Sequence, residues 1–397
     1  MNNWQIKQLS EVASVIGGGT PSTANPSFWD GDISWLTPKD LSGYNFRYIS
    51  AGGRNITEDG LRASAAKIMP KNAILFTSRA PIGYVAIAGG NVCTNQGFKS
   101  LVVNNDQCPL FYYYLLKNNV EFIEGIASGS TFKEVSGSQL ANLSFEIPRL
   151  EEQKAIADVL GSLDDKIESN RRENETLEAI VTALFKSWFV DFEPFGGAMP
   201  DGWEEKPLAD IAEYLNGIAL QKYPAKDGDP YLPVIKIAEL NRGVTESTDK
   251  ASADIPSEYI VRDGDVLFSW SGSLMAILWA GGEGALNQHL FKVSSAEYPK
   301  WFYYLWTKYH MPFFQMIAQS KATTMGHIKR EHLREVKAII PTDDKMAEIT
   351  ATMQPIIDKI ILNAVQSRTL EQIRDSLLPR LMSGKIRIPP FGEGDNK

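Results

Sequence analysis

Along the 397 residues, the spacing of apolar positions switches between two regimes. In residues 1–148 and 196–341, short alternations such as Ala73-Ile-Leu-Phe-Thr and Ser100-Leu-Val-Val predict strands. Between them, Leu110-Phe-Tyr-Tyr-Tyr-Leu-Leu and Trp301-Phe-Tyr-Tyr-Leu-Trp predict aromatic helical pieces. Residues 149–195 and 342 to about 385 lose nearly all glycine and carry their apolar residues in steps of four and three. The first series is Ile156, Leu160, Leu163, Ile167, Asn170, Asn174, Leu177, Val181, Leu184 and Trp188. The second is Ile349, Met353, Ile356, Ile360, Asn363, Ser367 and Leu370, followed by Ile373, Leu377 and Leu381. That is the a/d stripe of a coiled coil, and at a rise of ~1.5 Å per residue the first stripe spans roughly 50 Å, the length of a spacer. Asn170, Asn174 and Asn363 interrupt the stripes near their middles, where buried amides facing one another would set register and orientation. A plainer arrangement, each helix packed on its own globule, would leave much of so long a stripe uncovered. Pro355 predicts a short helix followed by a long one.

The two regimes recur because the chain is duplicated. Trp4-Gln-Ile-Lys-Gln-Leu-Ser-Glu-Val-Ala returns as Trp203-Glu-Glu-Lys-Pro-Leu-Ala-Asp-Ile-Ala at an offset of 199. Ile74-Leu-Phe-Thr-Ser matches Val266-Leu-Phe-Ser-Trp, and Asn95-Gln96 matches Asn287-Gln288, both at 192. Thr131 and Ile147-Pro148 match Thr324 and Ile340-Pro341 at 193. Collinear matches with so little drift imply two tandem copies of a domain-sized unit. The expected fold class is α+β: two mixed α/β domains, at 1–148 and 196–341, and two long helical segments, at 149–195 and 342–397, that pair as an antiparallel coiled coil about an internal pseudo-two-fold.

Composition removes whole classes of function. The hydrophobic fraction of 43% and charged fraction of 22% are those of a globular protein, not a disordered or fibrous one. No apolar run is long enough to cross a membrane and the opening residues lack a signal-peptide pattern, so a cytoplasmic location is expected. Cys93 and Cys108 are too few for a disulfide framework or a thiolate metal site, and read as reduced packing residues. The net charge of −8 argues against strong stand-alone binding of a polyanion. Most of that deficit lies on residues 149–195, with 6 basic and 11 acidic side chains, while the two globules are close to neutral. Gly17-Gly18-Gly19 has no further glycine at fingerprint spacing and reads as a plain loop. Asn25-Pro26-Ser27-Phe28 has the outline of an amino-methyltransferase signature, but its third residue is Ser and no cofactor motif precedes it. Asp343-Asp344-Lys345 reads as a helix start, and His327 and His332, five residues apart, lack a third ligand. No catalytic or metal site is expected.

Several passages carry a family resemblance. Gly129-Ser-Thr-Phe-Lys-Glu-Val-Ser-Gly-Ser-Gln-Leu, Phe145-Glu-Ile-Pro-Arg-Leu-Glu-Glu-Gln-Lys-Ala-Ile-Ala-Asp-Val-Leu and Leu163-Asp-Asp-Lys-Ile together resemble the specificity subunit of type I restriction-modification systems. Trp35-Leu-Thr-Pro-Lys-Asp-Leu, Leu75-Phe-Thr-Ser-Arg-Ala-Pro-Ile-Gly and Arg262-Asp-Gly-Asp-Val-Leu-Phe-Ser fit the same family. The second copy departs from the pattern in two places: Ile340-Pro-Thr-Asp-Asp-Lys lacks the Glu-Glu-Gln of the first, and Trp270 stands where Ser78 aligns.

The resemblance implies a non-catalytic subunit with two target recognition domains, each reading one half of a bipartite, asymmetric site in double-stranded DNA. It implies docking of two DNA methyltransferase (modification) subunits and of restriction motor-nuclease subunits. No cofactor would be bound by this chain; S-adenosylmethionine, ATP and magnesium would belong to the partners. The DNA-facing loops of the first domain would carry Thr37, Lys39, Asp40, Ser78, Arg79, Asn95, Gln96, Ser130, Thr131 and Lys133. Those of the second would carry Lys236, Glu239, Ser269, Ser271, Asn287, Gln288, Lys321, Thr323 and Thr324. Asn and Gln can pair with adenine, Arg and Lys with guanine, and hydroxyls with phosphate. The helix–helix interface would use Ile156, Leu160, Leu163, Ile167, Asn170, Asn174, Leu177, Ile356, Ile360, Asn363, Leu370 and Leu377. Two other readings stay open: a DNA adenine methyltransferase, which would need a cofactor motif, and a coiled-coil scaffold that reads no sequence.

Overall fold

The computed structural model describes residues 4–129, 133–320 and 327–388. They form two compact units, Met1–Glu168 with Leu370–Lys397, and Ser169–Thr369. The units therefore cut across the linear segments: each takes one globule, part of one long helix and part of the other.

In the first unit, β1 (Gln5–Gln8) pairs antiparallel with β10 (Ser144–Ile147), so the first and last strands of the globule close on each other. Between them lie β2 (Ala13–Gly17), β3 (Trp29–Leu36), β4 (Tyr48–Ile49), β5 (Arg54–Ile56), β6 (Ile74–Ser78), β7 (Ile82–Ala88), β8 (Cys93–Thr94) and β9 (Lys99–Val103). They make a five-stranded sheet in the order β2-β9-β6-β7-β4 and a three-stranded sheet in the order β5-β3-β8. The second unit repeats the plan. Its β11 (Glu204–Pro207) pairs with β20 (Lys337–Ile340), and the enclosed strands are β12 (Glu213–Asn216), β13 (Tyr231–Ile235), β14 (Lys250–Ser252), β15 (Ile260–Val261), β16 (Val266–Ser269), β17 (Met275–Leu278), β18 (Gly284–Leu286) and β19 (Leu290–Ser294). Here the sheets are β12-β19-β16-β17 and β14-β13-β18-β15. Strands such as Ile74–Ser78, buried at every position, are continuous apolar runs because both faces are covered.

Each globule is followed by a 40-residue helix, Leu150–Phe189 and Asp343–Met382. Acidic residues occupy both first turns, Glu151 and Glu152 in one and Asp343 and Asp344 in the other, where they complement the helix dipole. The second helix is continuous through Pro355, which corrects the expectation of a short helix followed by a long one. A mid-helix proline costs ~3 kcal/mol. That cost is borne because Ile349, Met353, Ile357 and Ile360, on both sides of it, are buried in one core.

Within each unit the helical parts run antiparallel. In the first, Ile156 and Leu160 share a core with Leu378, Leu381 and Met382, and Asp164 holds Arg374 at 2.6 Å. In the second, Asn170 Nδ2 donates to the Asn363 carbonyl (3.3 Å) and Ser367 Oγ (3.2 Å), while Asn363 Nδ2 donates to Asn174 Oδ1 (3.0 Å). Asn174 Nδ2 in turn reaches the Ile360 carbonyl at 3.0 Å. Ile156, Leu160, Ile167, Asn170, Ile360 and Asn363 are buried; Leu163, Asn174, Leu177, Ile356, Leu370 and Leu377 are half-buried. Ile373, placed on the second stripe by the four-three spacing, is instead 42% exposed, and Arg374 turns inward. A straight helix advances 3.6 residues per turn and drifts off a 3.5-residue stripe. The same drift buries Phe185 and Phe189 in the second unit's core ahead of Leu184 and Trp188. The helices therefore pack on globules as well as on each other, joining two arrangements that the spacing presents as alternatives.

Candidate nucleic-acid interface

The loops singled out from the sequence converge, in each unit, on one edge held by a repeated set of backbone bonds. After β3, Thr37 caps a short turn: its N–H and Oγ1 both donate to Asp40 Oδ2, at 2.6 and 2.7 Å, and Asp40 Oδ1 takes the Gly53 N–H at 2.8 Å. After β13, Lys236 N–H donates to Glu239 Oε2 at 3.1 Å, and Glu239 Oε1 takes the Thr248 hydroxyl at 3.3 Å. Asp40 and Glu239 are thus spent on shaping their loops. Lys39 is exposed, and Lys236 is ion-paired with Asp249.

The next loop hangs on an asparagine. Asn95 N–H donates to the Leu36 carbonyl (2.9 Å) and Asn95 Oδ1 takes the Gly97 N–H (2.8 Å). Asn287 N–H donates to the Ile235 carbonyl (3.2 Å) and its Oδ1 takes the His289 N–H (3.2 Å). These side chains close turns on their own backbone. What they leave free at the edge are Gln96, exposed and bonded to the Thr20 hydroxyl, and Gln288, half-buried. A glycine packs against each turn: a Cβ at Gly18 would lie 2.1 Å from the Asn95 carbonyl oxygen, and one at Gly217 would lie 2.2 Å from that of Asn287. The Gly17–Gly19 run therefore ends β2 at Gly17 and continues as a plain loop, whose Gly18 must be glycine for the backbones to touch.

Ser78 and Ser269 are buried. Ser78 Oγ donates to the Gly97 carbonyl at 3.2 Å, and Ser269 Oγ takes the Met275 N–H at 3.0 Å, so both belong to the scaffold. A last crossing strand is pinned alike in both units: Val135 N–H donates to the Ser78 carbonyl, and Ile328 N–H to that of Trp270, each at 3.0 Å. Ser130, Thr131, Lys321, Thr323 and Thr324 lie outside the described residues, while Lys133 is exposed.

The side chains on this common frame differ. In the first unit Glu134 sits between two cations, Arg79 NH1 at 3.4 Å and Lys99 Nζ at 3.1 Å. In the second, the Trp270 ring lies 5.6 Å from the rings of both His289 and His327, and its Nε1 donates to Asn216 Oδ1 at 3.0 Å. Ser271 Oγ is 3.3 Å from His289 Nδ1. The sequence singles out Arg79 for this edge, but weighs His327 only as a metal ligand and Trp270 only as a departure from the pattern, and gives no role to Lys99, Glu134 or His289. The repeat offset of 193, which pairs Glu134 with His327, was the available signal.

Among the described residues no group of three His, Cys, Asp or Glu side chains is placed to hold a metal ion, and no helix is long and apolar enough to cross a membrane. Cys93 and Cys108 are free thiols; burial, with a smaller push from Glu58, raises Cys93 to about 11, which suits packing rather than nucleophilic chemistry.

Comparison with known proteins agrees with this duplicated plan. The pattern of the type I restriction modification DNA specificity domain matches residues 1–179 and again 200–372. The chain is 34% identical, over 97% of its own length and 94% of the relative's, to the type I restriction enzyme MjaIX specificity subunit of Methanocaldococcus jannaschii. It is 24% identical over 97% of its length, and all of the relative's, to the HindI specificity subunit of Haemophilus influenzae. In three dimensions it matches the S subunit of a type I restriction-modification system from M. genitalium, with a TM-score of 0.61, 18% identity and 96% of each chain covered.

Proposed function

Because the chain belongs to the type I restriction modification DNA specificity family, as a specificity component and not a catalytic one, we propose that its two edges read the two halves of one bipartite, asymmetric DNA site. A single observation carries this reading: one backbone frame is built twice and dressed with different side chains, Arg79, Gln96 and Lys99 in one copy and Trp270, Gln288 and His289 in the other. A frame held fixed while its side chains vary is what reading two different sequences requires, since phosphate contacts position a protein and base-edge contacts specify the sequence.

The near-neutral globules give this chain little electrostatic grip of its own, so modification subunits docked on the long helices are expected to supply the rest. S-adenosylmethionine, ATP and magnesium would then act in the methyltransferase and motor-nuclease partners. The test is to purify the chain, measure binding to duplex DNA at physiological salt, and repeat with its modification subunit added. Weak, sequence-indifferent binding should become tight and site-specific, and methylated adenines in the host genome should define a two-part motif. Tight specific binding by the pure chain would show that the partner is unnecessary, and a methylome unchanged by the chain would end the DNA-reading proposal.

A further inference from the structure

The second globule's edge differs from the first in the kind of charge it can offer. The frame sets the equivalences: Asn95 and Asn287 both bond the N–H two residues on, which places His289 where the first copy has Gly97. Val135 and Ile328 make the same bond across the edge, which places His327 where the first copy has Glu134. By the same offsets, Ser271 replaces Arg79 and Phe291 replaces Lys99. The permanent cations are gone from these positions and two imidazoles stand beside them.

Those imidazoles are organised. Trp270 lies 5.6 Å from each, with Phe291 at 6.1 Å and its Nε1 tied to Asn216. His289 is half-buried and His327 exposed. The groups facing them are mostly neutral: Ser271 from the β16–β17 turn, Asn287 and Gln288 from the β18–β19 turn, and Asn216 from the end of β12. Following His327 come Lys329, paired with Glu331 at 3.3 Å, and Arg330, which donates to the Tyr214 carbonyl at 3.1 Å. Among the described residues no carboxylate forms an ion pair with either ring, whereas Arg79 and Lys99 already share Glu134.

Resting on the DNA-reading proposal above, we infer that His289 and His327, seated on Trp270, are backbone-phosphate contacts of the second recognition domain, and that they hold phosphate in their protonated form. A neutral imidazole offers one N–H and no charge, while imidazolium offers two N–H donors and a full positive charge; the His289 nitrogens face Ser271 Oγ at 3.3 Å and the Gln288 amide nitrogen at 3.4 Å, so Gln288 must turn aside for the Nε2–H to reach phosphate. Imidazole is the side chain that exchanges between neutral and charged forms near neutral pH, whereas Arg and Lys stay charged there. Protonation on binding means that affinity rises as pH falls, and the second half-site is held more weakly at alkaline pH while the first is unaffected.

The experiment uses the full chain assembled with its modification subunits. Affinity is measured at about pH 5.8 and about pH 7.8 for the complete site, and for duplexes in which the backbone phosphates of either half-site are replaced by neutral methylphosphonates. The wild-type complex should bind the complete site about tenfold more weakly at the higher pH. That dependence should persist when the first half-site's phosphates are neutral and vanish when the second's are. H289Q/H327Q, which keeps a donor without charge, should bind with one pH-independent affinity and, at the lower pH, show a salt slope reduced by about one to two. R79Q should weaken binding equally at both values. A double variant with the wild-type pH dependence overturns the inference, and so does a wild-type complex whose affinity does not change with pH. If H289Q proves unstable, H327Q alone, at an exposed ring, must remove part of the dependence. A wild-type complex that prefers no sequence at either pH would instead overturn the DNA-reading proposal beneath it.

Discussion

The two copies share a skeleton and differ in how they satisfy it. In the first unit the buried polar groups between helix and globule are ionic: Arg47 meets Glu168 at 2.9 Å and also Asp165, and Asp164 takes both the Tyr114 hydroxyl and Arg374 at 2.6 Å. At the end of the second long helix Arg387 clamps Glu152, whose other partner is the Trp4 indole at 3.1 Å. In the second unit the long helix meets the globule through a half-buried ion pair, Arg368 with Asp263, while the two helical parts meet in an amide ladder, Asn170, Asn174, Asn363 and Ser367, and Trp203 is packed among Phe189, Phe192 and Phe195. The two loop edges also differ, a carboxylate paired with two cations in one and an indole beside two imidazoles in the other. Backbone geometry is thus the shared part, and side-chain chemistry is free to diverge once that geometry is met.

The ionic and amide solutions should fail differently. Asp164→Ala leaves Arg374, whose side chain is 12% exposed, with only the exposed Asp375 as its partner and should cost ~2–4 kcal/mol in the first unit, against ~1–2 kcal/mol for Asn363→Ala in the second. Hydrogen exchange in the helices Pro109–Asn118 and Lys300–Tyr309 reports the two separately, and equal losses would erase the distinction. Burial pushes the Asp164 carboxyl up, but Arg374 and Tyr114 outweigh it and hold the group below the ordinary carboxylate range. A depressed native value means its stabilisation is complete above the unfolded value of ~3.9 and is lost as pH falls through the native one. The stability gap between wild type and Asp164→Asn should therefore close on acidification below about pH 4, while that between wild type and Asn363→Ala stays flat.

A smaller effect tests the shared skeleton. Gly18→Ala and Gly217→Ala drive a Cβ into the same carbonyl in the two copies, and each should cost ~1–3 kcal/mol; a loss in one unit only would mean that the frames are not equivalent. At the edge itself, Arg79→Ala with Gln96→Ala should remove ~1–3 kcal/mol per lost base contact at one half-site and leave the other half of the methylation motif as it was. Mapping the motif settles whether the edges read independently. The smallest change expected is from Asp40→Ala, about 1 kcal/mol by thermal unfolding, because it removes a cap on a surface turn. Glu239→Ala, at a site 3% exposed, should exceed it.

The duplication, the two long helices and the buried amides facing one another were legible in the order of residues, because each depends on periodicity or on a repeat offset, and those are one-dimensional properties. Candidate edge loops were legible too, through Asn95 and Asn287. Which of their side chains are spent internally was not: Asp40, Glu239, Ser78 and Ser269 look like ligands for a partner until the tertiary structure shows them bonded to nearby backbone and hydroxyl groups. Pro355 was misjudged for the same reason, since a local penalty of ~3 kcal/mol yields to a core assembled from residues far apart in the chain. Likewise Arg374 displaces Ile373 from the interior because Asp164 and Tyr114, contributed by distant segments, offer a buried charge its partner. The chain by itself determines what repeats and where helices run. Only the folded molecule decides which polar groups are already satisfied and which remain open at the two edges.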